Sequence, residues 1–192
     1  MYETHTTEVF VLDSMDAGEA DKDLVLLTKE YGLLRARIAG VRKITSKNRF
    51  HIQEGARAHA TLVKGRAFWR ITALRDSVCD IKKLPARLLR ARIAVLIRRL
   101  VQGESKDDRL FEHIDGVFSY IERVNPDEGV YEALEYLMAF RICAALGYVG
   151  DEPKVAHLCR TSTISDTDIQ DAKKYQVDVA RIVNSALYAS HL

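Results

Sequence analysis

Between residues 29 and 75 the chain carries twelve lysines and arginines and only two acids, Glu30 and Glu54. An excess of ten positive charges over one short stretch costs self-repulsion unless a polyanion shares it. The residues that stand out are Arg35, Arg37, Arg42, Lys43, Lys47, Arg49, Arg57 and Arg70. Set along one surface they would form a positive groove that holds phosphates and releases condensed counterions. Phe50, Phe68 and Trp69 lie close to these charges in the sequence. Exposed beside a basic groove, such rings stack on unpaired bases. Turned inward, they fill the core of a small domain.

A second basic run follows. Lys82, Lys83, Arg87, Arg90, Arg92, Arg98 and Arg99 fall within residues 82–99, with no acid among them. Arg90, Arg92, Arg98 and Arg99 are candidates either to extend a DNA track or to hold an acidic peptide from a partner. Charged heads that snorkel around an apolar helix stripe would give the same pattern. Elsewhere the balance reverses. Residues 1–28 hold seven acids and one lysine, and from residue 110 onward thirteen acids face seven basic residues, so a total of +2 conceals a basic middle.

Catalytic patterns are missing. His51 and Glu54 have no cysteine pair to complete a deaminase-type zinc site, and Cys159-Arg160 lacks a phosphate-cradling loop. Asp166 and Asp168 read as acids at a helix start, and no Walker-type glycine loop occurs. The chain is expected not to be an enzyme and to need no cofactor.

The elements that would carry the basic residues change period near residue 80. Glu8–Leu12 and Leu24–Thr28 read as strands separated by a turn at Asp16–Asp21. Leu34, Ala36 and Ile38 alternate with Arg35 and Arg37 over Leu33–Ala39, one face core and one face basic. After a polar loop, Ala56–Val63 and Ala67–Leu74 are two further strands. Lys64-Gly65 between them reads as a two-residue hairpin turn. Five short strands fit a small closed barrel of the OB or the SH3-like type. Beyond Pro85, Leu88, Leu89, Ile93, Leu96, Ile97 and Leu100 recur at helical spacing. Phe111, Ile114, Phe118 and Ile121 mark a second helix. Leu134, Leu137, Met138 and Ile142 mark a third. Ser165 reads as the N-cap of a final helix running toward Leu187. The expected architecture is α+β, with residues 1–80 forming a nucleic-acid-binding barrel and 81–192 an all-helical domain.

With 47% hydrophobic and 29% charged residues, the sequence describes a soluble globular protein. No stretch is apolar enough to span a membrane, and no secretory signal is read. Cys79, Cys143 and Cys159 are odd in number and far apart, which fits a reducing compartment and the cytoplasm.

Several pieces in order resemble the bacterial RecO family of recombination mediators. They are an apolar opening strand, Gly18-Glu19-Ala20-Asp21-Lys22, the strand Leu24–Thr28, Gly32, and Gly40-Val41-Arg42-Lys43 with Ser46-Lys47. A later helix holds Phe140 and ends in Leu146-Gly147-Tyr148, as it often does in that family. The resemblance implies a five-stranded OB barrel followed by helices. It implies binding of single- and double-stranded DNA, annealing of complementary strands, and help in loading RecA. It implies RecR and the acidic C-terminal tail of single-stranded-DNA-binding protein as partners, and residence in the cytoplasm at the nucleoid. Many members carry a four-cysteine zinc element after the Leu-Gly-Tyr helix. Here Cys159 has Ser162 where the second cysteine would stand, and Cys159 with His157 offers two ligands of the four that a structural zinc needs, so no zinc is expected. The alternative is an adaptor whose helices bind an acidic partner tail while the barrel binds RNA or protein.

Overall fold

The computed structural model describes residues 3–46, 48, 51–78 and 83–189. The chain divides into two units, Met1–Asp80 with Gln102–Lys106, and Ile81–Val101 with Asp107–Leu192.

The first unit is a barrel of five strands: β1 (Thr4–Ala17), β2 (Asp21–Thr28), β3 (Gly32–Ile38), β4 (Arg57–Lys64) and β5 (Trp69–Val78). They close in the order β1-β2-β3-β5-β4. Every pair is antiparallel except β3 with β5. That parallel closure between the third and fifth strands makes the barrel an OB fold and sets aside the SH3-like alternative. Its interior is Val9, Val11, Leu24, Leu26, Leu34, Ala36, Ile38, Leu62, Trp69 and Ile71 with their small neighbours. The β3 alternation holds: Leu34, Ala36 and Ile38 are buried, Arg35 is exposed and Arg37 half-buried.

Two turns show why the ordered motif pieces lie where they do. The Thr28 hydroxyl donates to the Gly32 carbonyl at 2.9 Å and accepts the Tyr31 amide at 2.9 Å, so one side chain closes the β2–β3 turn. The Gly18–Asp21 turn and the Gly40–Lys43 loop clasp each other. Asp21 accepts the Gly40 amide at 2.8 Å, and the Arg42 amide donates to the Ala20 carbonyl at 2.9 Å. The turn between β4 and β5 differs from expectation. It is four residues long, Gly65–Phe68, with β5 starting at Trp69 rather than Ala67.

The second unit holds α1 (Leu84–Leu100), α2 (Asp108–Val124), α3 (Glu128–Ala145), α4 (Asp166–Lys174) and α5 (Gln176–Ala189), with a short 3-10 turn at Ala156–Cys159. α3 touches each of the other four helices. It accordingly buries Tyr131, Leu134, Leu137, Met138, Phe140 and Ile142, apolar on most of its circumference, as a central helix must be. α1 is narrower than its spacing suggests. Leu89, Ile93, Ile97 and Leu100 are buried, whereas Leu88 is exposed and Leu96 only half-buried. Ser165 is the N-cap of α4, in a reciprocal capping box with Asp168. The expected single last helix is in fact two. It breaks at Tyr175, just after Lys173 and Lys174 close α4, where cations suit the negative end of the helix dipole.

Candidate nucleic-acid interface

The parallel seam decides which basic residues meet. Arg37 on β3 lies directly opposite Arg70 on β5. Arg35 stands two residues away on the same outward face, since side chains two apart along a strand share a face. Arg35 and Arg70 are exposed, as is Arg66 on the adjoining turn. Phe68 sits among them. The guanidinium carbon of Arg37 is 5.2 Å from its ring centroid and that of Arg70 is 5.5 Å away. Trp69, by contrast, is core. It is 4% exposed and packs on Tyr31 and His5, with ring centroids 5.2 and 5.7 Å apart.

The acidic N-terminal strands temper this surface. Asp23 takes Nε and Nη2 of Arg37 at 2.7 and 2.9 Å. Arg37 holds the Asp23 carboxyl below the usual carboxylate range, with Arg35 adding to the effect. Arg42 donates to the Gly18 carbonyl at 2.9 Å and pairs with Asp16 at 3.3 Å. Its guanidinium therefore fastens the clasp described above, while the side chain stays 40% exposed. Arg57 is half-buried, at the far end of β4 from the seam: it pairs with Val78, while Val63 pairs with Arg70. It does not join Arg35 and Arg70. Lys43 is exposed in the loop after β3. Lys47, Arg49 and Phe50 lie outside the described residues.

On the helical unit the four candidates part company. Arg90 is 2% exposed, donates to Glu122 at 2.7 Å and lies 4.1 Å from the Phe118 ring centroid. Its guanidinium is buried against a partly exposed carboxylate and offers no surface to DNA or peptide. Arg92 and Arg99 line an apolar groove of about 400 Å³ together with Leu88, Val95, Leu96, Ala139, Val183 and Leu187. Arg92 pairs there with Glu135. Arg98 is exposed on α1. The groove was not legible as such, because its floor comes from three helices far apart in the chain. Its one signal was the surplus of apolar residues, Leu88 and Leu96, on α1.

The residues near Cys159 do not fit a structural zinc. His157 Nε2 is 3.0 Å from Asp171. Cys159 with His157 supplies two ligands of the four that a structural zinc needs. The segment is held instead by Arg141, fully buried, which donates to the carbonyls of Leu158 and Ser162 at 2.7 and 3.1 Å. No group of three or more His, Cys, Asp or Glu among the described residues is placed to hold a metal. No described helix is long and apolar enough to cross a membrane.

The molecule is thus an OB-barrel protein with a basic, aromatic-bearing seam and an appended helical unit. Residues 1–76 match the family described as Recombination protein O N terminal. Along most of its length the chain is similar to proteins named DNA repair protein RecO. It is 26% identical over 178 residues to that of Gloeothece citriformis, covering 90% of this chain and 60% of that protein. It is 27% identical over 144 residues to that of Pelotomaculum thermopropionicum, covering 75% and 56%. It is 28% identical over 189 residues to that of Trichodesmium erythraeum, covering 90% and 62%. Its barrel is thus similar to the RecO N-terminal family, and the chain spans about six tenths of the length of these relatives.

Proposed function

We propose that this chain is a non-enzymatic recombination mediator of DNA repair. It binds single- and double-stranded DNA along the β3–β5 face, anneals complementary strands and assists the loading of RecA. The observation that carries the proposal is the meeting of Arg35, Arg37 and Arg70 on one outward face at the barrel's closing seam. Cations on one face screen the repulsion between two phosphate backbones, so that bases can pair. Each phosphate neutralised also releases counterions. The names of the similar proteins support the repair setting.

The partners in this proposal are RecR and the acidic C-terminal tail of single-stranded-DNA-binding protein. The groove between α1, α3 and α5 supports the second of these. It is apolar, of a size for a few side chains, and lined by Arg92 and Arg99, a combination suited to a peptide both hydrophobic and acidic. The same groove favours the adaptor as the second reading.

Strand annealing by the purified chain, on bare DNA and on DNA coated with the binding protein, tests the proposal. The Arg35→Glu/Arg70→Glu variant is expected to lose annealing, to bind all sequences more weakly, and to show a salt slope lower by about 2. Annealing and binding left unchanged by this variant would overturn the proposal. Tight capture of an acidic-tail peptide without DNA affinity would establish the adaptor.

A further inference from the structure

The four-residue turn Gly65–Phe68 puts an aromatic ring outside the barrel and fixes it there. Phe68 is 42% exposed, yet it is held on both sides of the seam by Arg37 and Arg70. The turn under it is tight. The Gly65 amide donates to the Phe68 carbonyl at 3.1 Å, and a Cβ on Gly65 would lie 2.7 Å from that same oxygen. The next residue, Trp69, anchors the turn from inside the barrel core. Asp23 in turn holds Arg37 in place by two hydrogen bonds.

An isolated phenylalanine on a surface is ordinary. This one is preorganised, framed by the guanidinium groups of Arg37 and Arg70. In OB folds the strand 2–3 face and the loop joining strands 4 and 5 are a recurrent oligonucleotide-binding surface, and Phe68 is on that loop. We propose that Phe68 is a stacking platform for an unpaired base of single-stranded DNA, with Arg35 and Arg70 taking the neighbouring phosphates. This rests on the DNA-binding reading and adds strand preference to it. In an intact duplex the faces of the bases are covered by their neighbours, so the ring has nothing to stack on. The arginines serve both forms; the ring serves one.

The test is equilibrium binding of the full chain, at one fixed low salt, to three ligands: oligo(dT), an abasic strand of equal length, and a duplex. Phe68→Ala and Phe68→Leu are expected to weaken oligo(dT) binding about 5- to 150-fold, the equivalent of ~1–3 kcal/mol for one stacked base. Both should leave the abasic strand and the duplex within about two-fold. Phe68→Trp is expected to restore binding and to show fluorescence quenched by oligo(dT) but not by the abasic strand. Equal oligo(dT) affinity in wild type and Phe68→Ala would overturn the inference. So would an equal loss on all three ligands, which would mean that the ring merely props the arginines. Wild-type protein that binds none of the three would overturn the DNA-binding reading itself. Circular dichroism of each variant confirms that the barrel is folded.

Discussion

Asp23 on β2 accepts both Nε and Nη2 of Arg37 on β3, at 2.7 and 2.9 Å, one step from the arginine pair at the barrel's seam. A carboxylate therefore stands within a surface otherwise suited to a polyanion. It steers Arg37 toward the Phe68 ring and costs the face one unit of positive charge.

Asp23→Asn returns that charge. The variant is expected to bind duplex DNA several-fold more tightly at low salt, with a salt slope steeper by at most about 1. Because the pair is more than a third exposed, folding stability should change little. Filter binding across a salt series, with a urea melt of each protein, checks both. Weaker duplex binding would show that the bridge matters for geometry more than for charge.

Arg141→Met should damage the helical unit severely. The guanidinium is fully buried, serves the carbonyls of Leu158, Ser162 and Thr163 at 2.7, 3.1 and 3.4 Å, and faces Asp168 at 3.8 Å. Removing it strands the buried carbonyl acceptors and takes away the cation beside Asp168, a loss of about 3–5 kcal/mol. Arg141→Lys should recover only part of this, because an ammonium lacks the planar fork. Urea unfolding followed by circular dichroism measures the difference, and a loss under about 1 kcal/mol would refute the role.

Gly116→Ala pits propensity against contact. Within a helix the change ordinarily gains about 1 kcal/mol. Here the new Cβ would fall 2.0 Å from the Ser162 carbonyl oxygen, the same oxygen that Arg141 binds. The clash wins, and a net destabilisation of about 1–3 kcal/mol is expected in a thermal melt. A more stable variant would show that the 158–163 segment yields freely.

His113 should make the protein acid-sensitive. It is 4% exposed, and neither ring nitrogen has a hydrogen-bond partner. Burial, then Arg141 and Arg109, lower its pKa from 6.5 to about 4, with Asp107 opposing. Below 6.5 the unfolded chain binds the proton and the folded chain does not. Stability is therefore full above that pH and falls as pH drops toward 4, by up to about 3 kcal/mol. Denaturation midpoints at pH 7 and pH 4.5 should diverge in wild type and converge in His113→Leu. An unchanged gap in the variant would place the sensitivity elsewhere.

Much of this architecture could be read along the chain, since strand alternation, helical spacing and caps depend on residues a few places apart. The β3 face, the inward residues of α2 and α3, and the Ser165 cap are of that kind. The Gly65–Phe68 turn and the break at Tyr175 were not, because a strand end and a helix end depend on what packs against them. The ordered glycine and acid motifs signalled the family resemblance without showing that Asp21 and Arg42 fasten one loop to another.

The basic excess between residues 29 and 75 is a property of the chain alone. Which of those charges remain available is a property of the closed barrel. Register set Asp23 against Arg37, and chain crossing brought Asp16 to Arg42 and Arg70 to Arg37. Ion pairing acts over a few ångströms of space, whereas these partners are separated by many residues of chain. Only closure of the strands could say which arginine is spent and which still faces outward.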